Sequence, residues 1–291
     1  MPQRRQSPTR GRMLISCPDR PGIVAAVTGF LFDHGANIVR SAQHTEDPEG
    51  GAFFMRVEFD LPDLESRVGQ LRARFGEVAE RFEMRWRLAG SRPPQRVAIL
   101  ASREEHCLVE LLWRWQSGEL PCVLTMVVSN HPDLERWVAP LGLPYHHVPA
   151  DPGDRAAAEA RIGALLEAER VDLVVLARYM QILSPGFVAR WPERIINIHH
   201  SFLPAFVGPN PYRQAWDRGV KIIGATAHYV TAELDGGPII EQDVQRITHR
   251  DSPQDLRRVG RQIERAVLAR AVAWHLEDRI LVHGARTVVF E

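Results

Sequence analysis

Lysine is almost missing from this chain of 291 residues: Lys221 is the only one, and nearly all the positive charge is arginine. The arginine excess reads as a compositional bias of the source genome, and no lysine is expected to serve Schiff-base chemistry. Cysteine is scarce too. Cys17, Cys107 and Cys122 form no C-x-x-C pair and are odd in number, which excludes a disulfide framework and a zinc knuckle and fits a reducing cytoplasm. Net charge is absent, with 36 basic and 36 acidic residues, so no global field favours nucleic acid. No apolar run approaches the roughly 20 residues of a membrane helix, and the polar, Arg-rich start has no apolar h-region of a secretory signal. Internal repeats and long low-complexity segments are lacking as well. The twelve histidines are scattered, and the pairs His146-His147 and His199-His200 lack the i, i+4 spacing of a zincin, so no required metal is expected.

What is present is enough apolar material, 45% of residues, to bury two domains. Residues 1–11 read as a disordered tail. Residues 12–90 alternate compactly: a strand at 13–17, a helix opened by Asp19-Arg20-Pro21-Gly22 and stopped at Gly35, strands at 36–45 and 51–60 around a hairpin loop at 46–50, a helix at 64–75 and a strand at 82–88. That βαββαβ order is ferredoxin-like. The stretch 91–95, with Ser91, Arg92, Pro93 and Pro94, interrupts every periodicity and reads as a linker. Residues 96–291 then read as an α/β domain with an open, mostly parallel Rossmann-like sheet: strands at 96–101, 122–128, 171–177, 194–198 and 222–230, helices at 105–115 and 155–168, and a long amphipathic helix at 255–281.

Chemistry concentrates in Asn197-Ile198-His199-His200 and in the later Glu233-Leu234-Asp235-Gly236-Gly237-Pro238. An acyl-transfer site needs a donor for a developing oxyanion, a group that manages protons and a group that orients it, and Asn197, His199 and Asp235 can fill those roles. Residues of these types also serve as caps and turn formers. Their placement after strand-like runs favours the catalytic reading, since ligands of open α/β sheets bind beyond the carboxyl ends of strands. His200 is a candidate for positioning water or a structural hydrogen-bonder, and His228 a support from behind the site.

Two resemblances sharpen this picture. The turn Asp19-Arg20-Pro21-Gly22-Ile23, the helix ending near Gly35 and the strand opening Ala36-Asn37-Ile38 closely resemble the ACT domain, a small regulatory module. The resemblance implies a homo-oligomer and an amino-acid effector at its interface, lined by Asp19, Arg20, Gly22, Gly35, Asn37 and Ile38; assembly without sensing remains open. The second domain, through Leu176-Ala177-Arg178-Tyr179-Met180-Gln181-Ile182-Leu183-Ser184, the Asn-Ile-His segment and Glu-Leu-Asp-Gly-Gly-Pro-Ile, resembles the folate-dependent formyltransferase and hydrolase superfamily. With an ACT module in front, the whole resembles the formyltetrahydrofolate deformylases. That implies hydrolysis of 10-formyltetrahydrofolate to tetrahydrofolate and formate, balancing one-carbon pools and supplying formate for purine synthesis, with folate as substrate and no cofactor required. It also implies a pterin pocket lined by Met180, Gln181, Ile182, Leu183, Glu233, Leu234 and Gly236.

Other readings stay open beside it. Relatives that formylate an amine such as glycinamide ribonucleotide cradle the acceptor phosphate on a Gly-rich loop; the corresponding stretch here, Ala101-Ser102-Arg103-Glu104-Glu105-His106-Cys107, has no glycine, and Ser102 with Glu105 has capping-box spacing. His200, where the transformylases usually carry proline, and the string from Pro209 to Ala215 are hydrolase-like, whereas Gly236 is the transformylase's choice. A catalytically idle folate or amino-acid sensor is a further alternative. A tRNA-formylating enzyme would call for a basic surface and an added RNA-binding domain.

Overall fold

The computed structural model describes residues 9–47, 50–90, 93–150, 153–205 and 211–291. Residues 1–8 of the expected tail, Pro48 and Glu49 of the hairpin loop, Ser91 and Arg92 of the expected linker, and Pro209 and Asn210 lie outside the described residues. The chain forms two compact units.

The first unit runs β1 (Thr9–Pro18), α1 (Ile23–Asp33), β2 (Asn37–Thr45), β3 (Ala52–Leu61), α2 (Leu64–Arg81) and β4 (Arg85–Ala89). Its sheet has the order β2-β3-β1-β4, with every neighbouring pair antiparallel, which is the expected βαββαβ arrangement. Gly22 and Gly35 bracket α1 with φ of 94° and 76°, values that glycine adopts without strain. Both helices lie on one face: Val27, Leu31, Leu64 and Phe75 pack with Met13, Ile15, Val57 and Phe59 in a single buried cluster. Phe75 meets Phe30 and Trp86 edge-on at 5.1 and 4.8 Å.

Two boundaries differ from expectation. β1 begins at Thr9, where Thr9 pairs with Leu61, so residues 9–11 belong to the sheet and not to a tail. α2 continues past 75 to Arg81, because Gly76 is tolerated in a helix whose buried face extends to Ala79.

A third difference lies at the other end of the chain. Residues Asp278–Leu281 and Val288–Glu291 cluster with the first unit, so the second unit does not run unbroken to 291. The last long helix stops at Leu276 and not at 281, and Asp278 takes a φ of 52°. Its carbonyl accepts Arg56 Nε at 2.7 Å, and its carboxylate reaches Arg87 at 2.7 Å and Arg12 at 3.6 Å. Those three arginines stand on the sheet face away from α1 and α2, so the C-terminal segment docks there.

The second unit comprises β5 (Gln95–Ala101), α3 (His106–Gln116), β6 (Cys122–Ser129), α4 (Glu135–Val138), β7 (Tyr145–His147), α5 (Arg155–Ala168), β8 (Leu173–Ala177), α6 (Pro185–Val188), β9 (Ile195–His199), α7 (Pro211–Asp217), β10 (Ile222–Tyr229), β11 (Ile239–Arg246) and α8 (Pro253–Leu276). A short pair, β12 (Ile280–His283) and β13 (Arg286–Val289), closes the chain. The sheet order is β11-β10-β9-β8-β5-β6-β7. From β9 to β7 neighbours run parallel, while β10 and β11 are antiparallel additions. The central strands are buried on both faces, as β8 with all five residues buried illustrates. α8 starts in a capping box, Ser252 with Asp255, and buries Ile263, Val267, Leu268, Val272 and Leu276.

Arg56 is only 3% exposed, so its loss strands acceptors in a dry interface. Arg56→Ala is expected to lower the stability of the first unit by about 3 kcal/mol, the range for breaking a buried charged contact; a denaturant titration with an unchanged midpoint would show that the C-terminal segment is not held this way.

Candidate active site

β9 and β10 build the site. Asn197 and His199 are two residues apart on β9 and so project from the same face, and the antiparallel register sets His228 of β10 directly beside Asn197. Asp235 comes from the loop that follows β10. Since β10 runs opposite to β9, its end lies level with the start of β9, and the loop must fold back over the sheet face to reach His199. The three groups therefore do not meet beyond a row of parallel strand ends, as their sequence positions suggested. The return is tight: Asp235 has a φ of 55°, and a Cβ on Gly237 would fall 1.7 Å from the Tyr229 carbonyl oxygen, so only glycine fits there.

His199 Nδ1 lies 3.2 Å from Asp235 Oδ2, and the ring is buried with Nε2 unpartnered at the cavity wall. His228 Nδ1 meets the Tyr229 carbonyl at 2.9 Å; a carbonyl only accepts, so Nδ1 carries the hydrogen. Its Nε2 then accepts an Asn197 amide hydrogen at 3.2 Å, which fixes the amide and leaves its second N–H for a ligand. His228 Nε2 is also 3.6 Å from Asp235 Oδ1. The hydrogen bond from His199 foremost holds the Asp235 carboxyl far below the usual carboxylate range. Burial foremost, with the charge of Arg178, pushes His200 down to about 3, so its imidazole is neutral at physiological pH. The His200 ring sits between His199 and Tyr212, with centroids 5.3 and 6.1 Å away.

These groups line a cavity of about 960 Å³. Met180, Gln181, Ile182, Leu183, Glu233 and Leu234 line it as well; Gly236 does not, and its N–H turns to the Glu233 carbonyl at 3.3 Å. Met180, Ile182 and Leu234 are 55%, 58% and 59% exposed, apolar walls that suit a flat heterocycle.

Sequence reasoning missed Arg178, Tyr212 and Glu264. Glu264, 1% exposed on α8, accepts from Tyr212 Oη and from His106 Nε2 at 2.8 Å and lies 3.4 Å from Arg178 Nε. A Cβ on Gly260, one turn before, would meet the Tyr212 oxygen at 2.0 Å, so that glycine makes the notch in which the phenol sits. A glutamate on the buried stripe of α8, four residues after a glycine, was the available signal.

The expected Ser102–Glu105 capping box is not formed. Glu105 itself stands at the N-cap without a side-chain bond, and Ser102 Oγ donates to Asn130 Oδ1 at 2.7 Å and accepts from Met180 N at 3.0 Å. The serine thus ties the β5 and β6 ends to the segment that carries Met180. His106, Cys107 and Glu264 bring three metal-type donors within 4.8 Å. Burial keeps the Cys107 thiol protonated, and Glu264 already serves Tyr212 and His106, so the trio makes a poor ligand set.

In the first unit, Asp60 pairs with both Arg10 and Asn37, whereas Pro18 pairs with Ala52. Asp19, Arg20 and Gly22 therefore follow one end of β1, while Gly35, Asn37 and Ile38 lie at the sheet's opposite end. One chain does not bring the six together. The Arg20 guanidinium donates to the Arg81 carbonyl and lies 5.0 Å over Phe82.

Comparisons with known proteins agree with both halves. The formyl transferase family model matches residues 95–272 and the ACT domain model residues 12–76. Over 281 residues the chain is 56% identical to the formyltetrahydrofolate deformylase of Bacillus subtilis (strain 168), covering 97% of this chain and 94% of that one. The crystal structure of a formyltetrahydrofolate deformylase from Pseudomonas syringae pv. tomato str. DC3000 superimposes with a TM-score of 0.91 at 50% identity, covering 99% and 96% of the two chains. Glycinamide ribonucleotide transformylase 1 from Symbiobacterium toebii aligns with 70% of this chain and 98% of its own, with a TM-score of 0.65 and 34% identity.

Neutral His200 makes a testable contribution to acid sensitivity. Above its ordinary 6.5 neither folded nor unfolded chain holds its proton; as pH falls from 6.5 toward 3 the unfolded chain binds a proton that the folded one refuses, and stability drops. His200→Asn is expected to flatten the fall of the thermal midpoint across that window. An equally steep fall in the variant would mean that the folded imidazole already carries charge there.

Proposed function

The chain belongs to the formyl transferase family, among its formyltetrahydrofolate deformylases, and from that premise we propose how its cavity hydrolyses 10-formyltetrahydrofolate to tetrahydrofolate and formate. One observation carries the assignment of roles: His199 and Asn197 line the same cavity, and His199 meets Asp235 through Nδ1, which leaves its Nε2 without a hydrogen-bond partner. Water adds to the formyl carbon, and the carbonyl electrons move onto oxygen, where the Asn197 N–H stabilises the developing charge. His199 Nε2 takes the proton released by the water and returns it to N10 as the carbon–nitrogen bond breaks. Asp235, ionised throughout this cycle, orients the imidazole and favours its charged form. The pterin rests against the apolar walls at Met180, Ile182 and Leu234, with the 233–235 backbone reading its edge. His200, neutral and adjacent, accepts from or donates to the attacking water without changing charge.

Water, and not an amine, is the acceptor in this reading. The β5–α3 turn has no glycine cradle for a phosphate: Ser102 is tied to Asn130 and Met180, and Glu104 is ion-paired with Arg261 at 2.7 Å. Formyl transfer to an amine is the second reading, favoured by the fold shared with the transformylase. The ACT module binds an amino acid between two copies of the chain, since residues 19–22 and 35–38 lie at opposite ends of one sheet and only a second copy can bring them together. The edge strand β2, exposed along most of its length, offers the surface for that pairing. Formate so released feeds purine synthesis in a reducing cytoplasm, where the buried Cys17 and Cys107 stay free thiols. Among the described residues no helix is long and apolar enough to cross a membrane.

Asp235→Asn is expected to lower kcat by about 10⁴-fold, as loss of an orienting carboxylate does elsewhere, with KM little changed. Asn197→Ala is expected to cost about 10²–10³-fold in kcat, the loss typical of one oxyanion donor. Tetrahydrofolate appearance without any amine reports both; formyl transfer only when an amine is supplied would select the second reading.

A further inference from the structure

The cavity is electrically lopsided. Near the catalytic histidine its lining carries Glu233 and Asp235; on the other side of His200 it carries Arg178, Arg213, Arg257 and Arg261 against the single carboxylate of Glu104. Arg213 is ion-paired with Asp217 at 3.0 Å and Arg261 with Glu104 at 2.7 Å, while Arg257 has no ion pair among the described residues. Arg178 is the least exposed of these, at 12%, on a backbone with φ of 62° directly after β8. Its neighbour Glu264 is 3.4 Å from Nε, but that carboxylate already accepts from Tyr212 and His106, and Arg178 Nε and Nη1 are buried with no hydrogen-bond partner. Buried guanidinium donors without acceptors are costly, and a planar fork of this kind matches a carboxylate bidentately.

We propose that this basic end of the cavity, centred on Arg178 with Arg257 and Arg261 at its rim, is a carboxylate-binding subsite. The inference rests on the hydrolytic reading above, because that reaction brings two carboxylate sources into the cavity. One is formate, the product of that reaction. The other is the glutamate tail of the folate. A strained backbone at Arg178 is consistent with a side chain held for a ligand and not for packing alone.

The two sources separate in kinetics. Tetrahydrofolate appearance is measured with sodium formate against sodium chloride at equal ionic strength, and with 10-formyltetrahydropteroate, which has no glutamate, against the full substrate. Inhibition by formate beyond chloride assigns the subsite to the product; a KM raised about tenfold without the glutamate assigns it to the tail. In either case Arg178→Gln is expected to weaken the effect by about tenfold or more and Arg257→Gln, a surface change that folding tolerates, by a smaller factor. Normal hydrolysis with both arms flat overturns the subsite, and so does an effect that persists undiminished in both variants. Calorimetric titration of the resting protein with sodium formate and with p-aminobenzoylglutamate needs no turnover. If hydrolysis is absent, the reaction assignment falls, and the titrations still decide the subsite: binding that weakens in Arg178→Gln, and by a smaller factor in Arg257→Gln, supports it, and no binding of either probe removes it.

Discussion

The antiparallel attachment of β10 to the parallel sheet is the constraint on which the candidate site depends. It sets His228 beside Asn197, sends the following loop away from His199, and so forces that loop to double back across the sheet. Gly237 permits the return by accepting a backbone oxygen where any side chain would collide. Asp235 arrives in a left-handed conformation, with φ of 55°, and meets His199 at 3.2 Å. A parallel tenth strand would have needed a long crossover and would have put Asp235 elsewhere.

Around that seam the unit spends polar groups on holding segments that have no secondary structure. Thr226 donates to the Ser201 carbonyl and accepts from Leu203 N, pinning the chain just after His200. Ser102 does the same for the segment with Met180, and Glu264 for Tyr212. Each of these side chains is buried and matched, as dry interiors require. The cavity is thus framed by loops, yet its polar walls hang from strands and from α8.

The first unit depends on a different device. Three arginines on the outer face of its sheet converge on Asp278, so the chain's last residues are part of the small unit's structure. The sequence of a domain is usually read as continuous, and here it is not. Periodicity could not reveal this, because an isolated Asp after a long helix resembles any helix-terminal turn.

Amino-acid pattern alone determined the order of strands and helices in the first unit, the parallel centre of the second sheet, and the identity of Asn197, His199 and Asp235 as a group to watch. Those features follow from local rules: apolar runs of fixed length, glycine at helix ends, and polar residues clustered after strands. β11 escaped because an exposed edge strand with Glu241, Gln242, Asp243 and Gln245 has no apolar alternation. Ser102 was misread because capping-box spacing is necessary for a cap and not sufficient; two partners from distant strands outbid the helix for its hydroxyl. Only the tertiary structure decided that Asp235 reaches His199 by folding back, that His200 is kept neutral, that Arg178 is left with unmatched donors, and that the two halves of the expected effector site lie at opposite ends of one sheet. All four depend on strand direction and on burial among residues distant in sequence, and neither quantity is carried by any single stretch of chain.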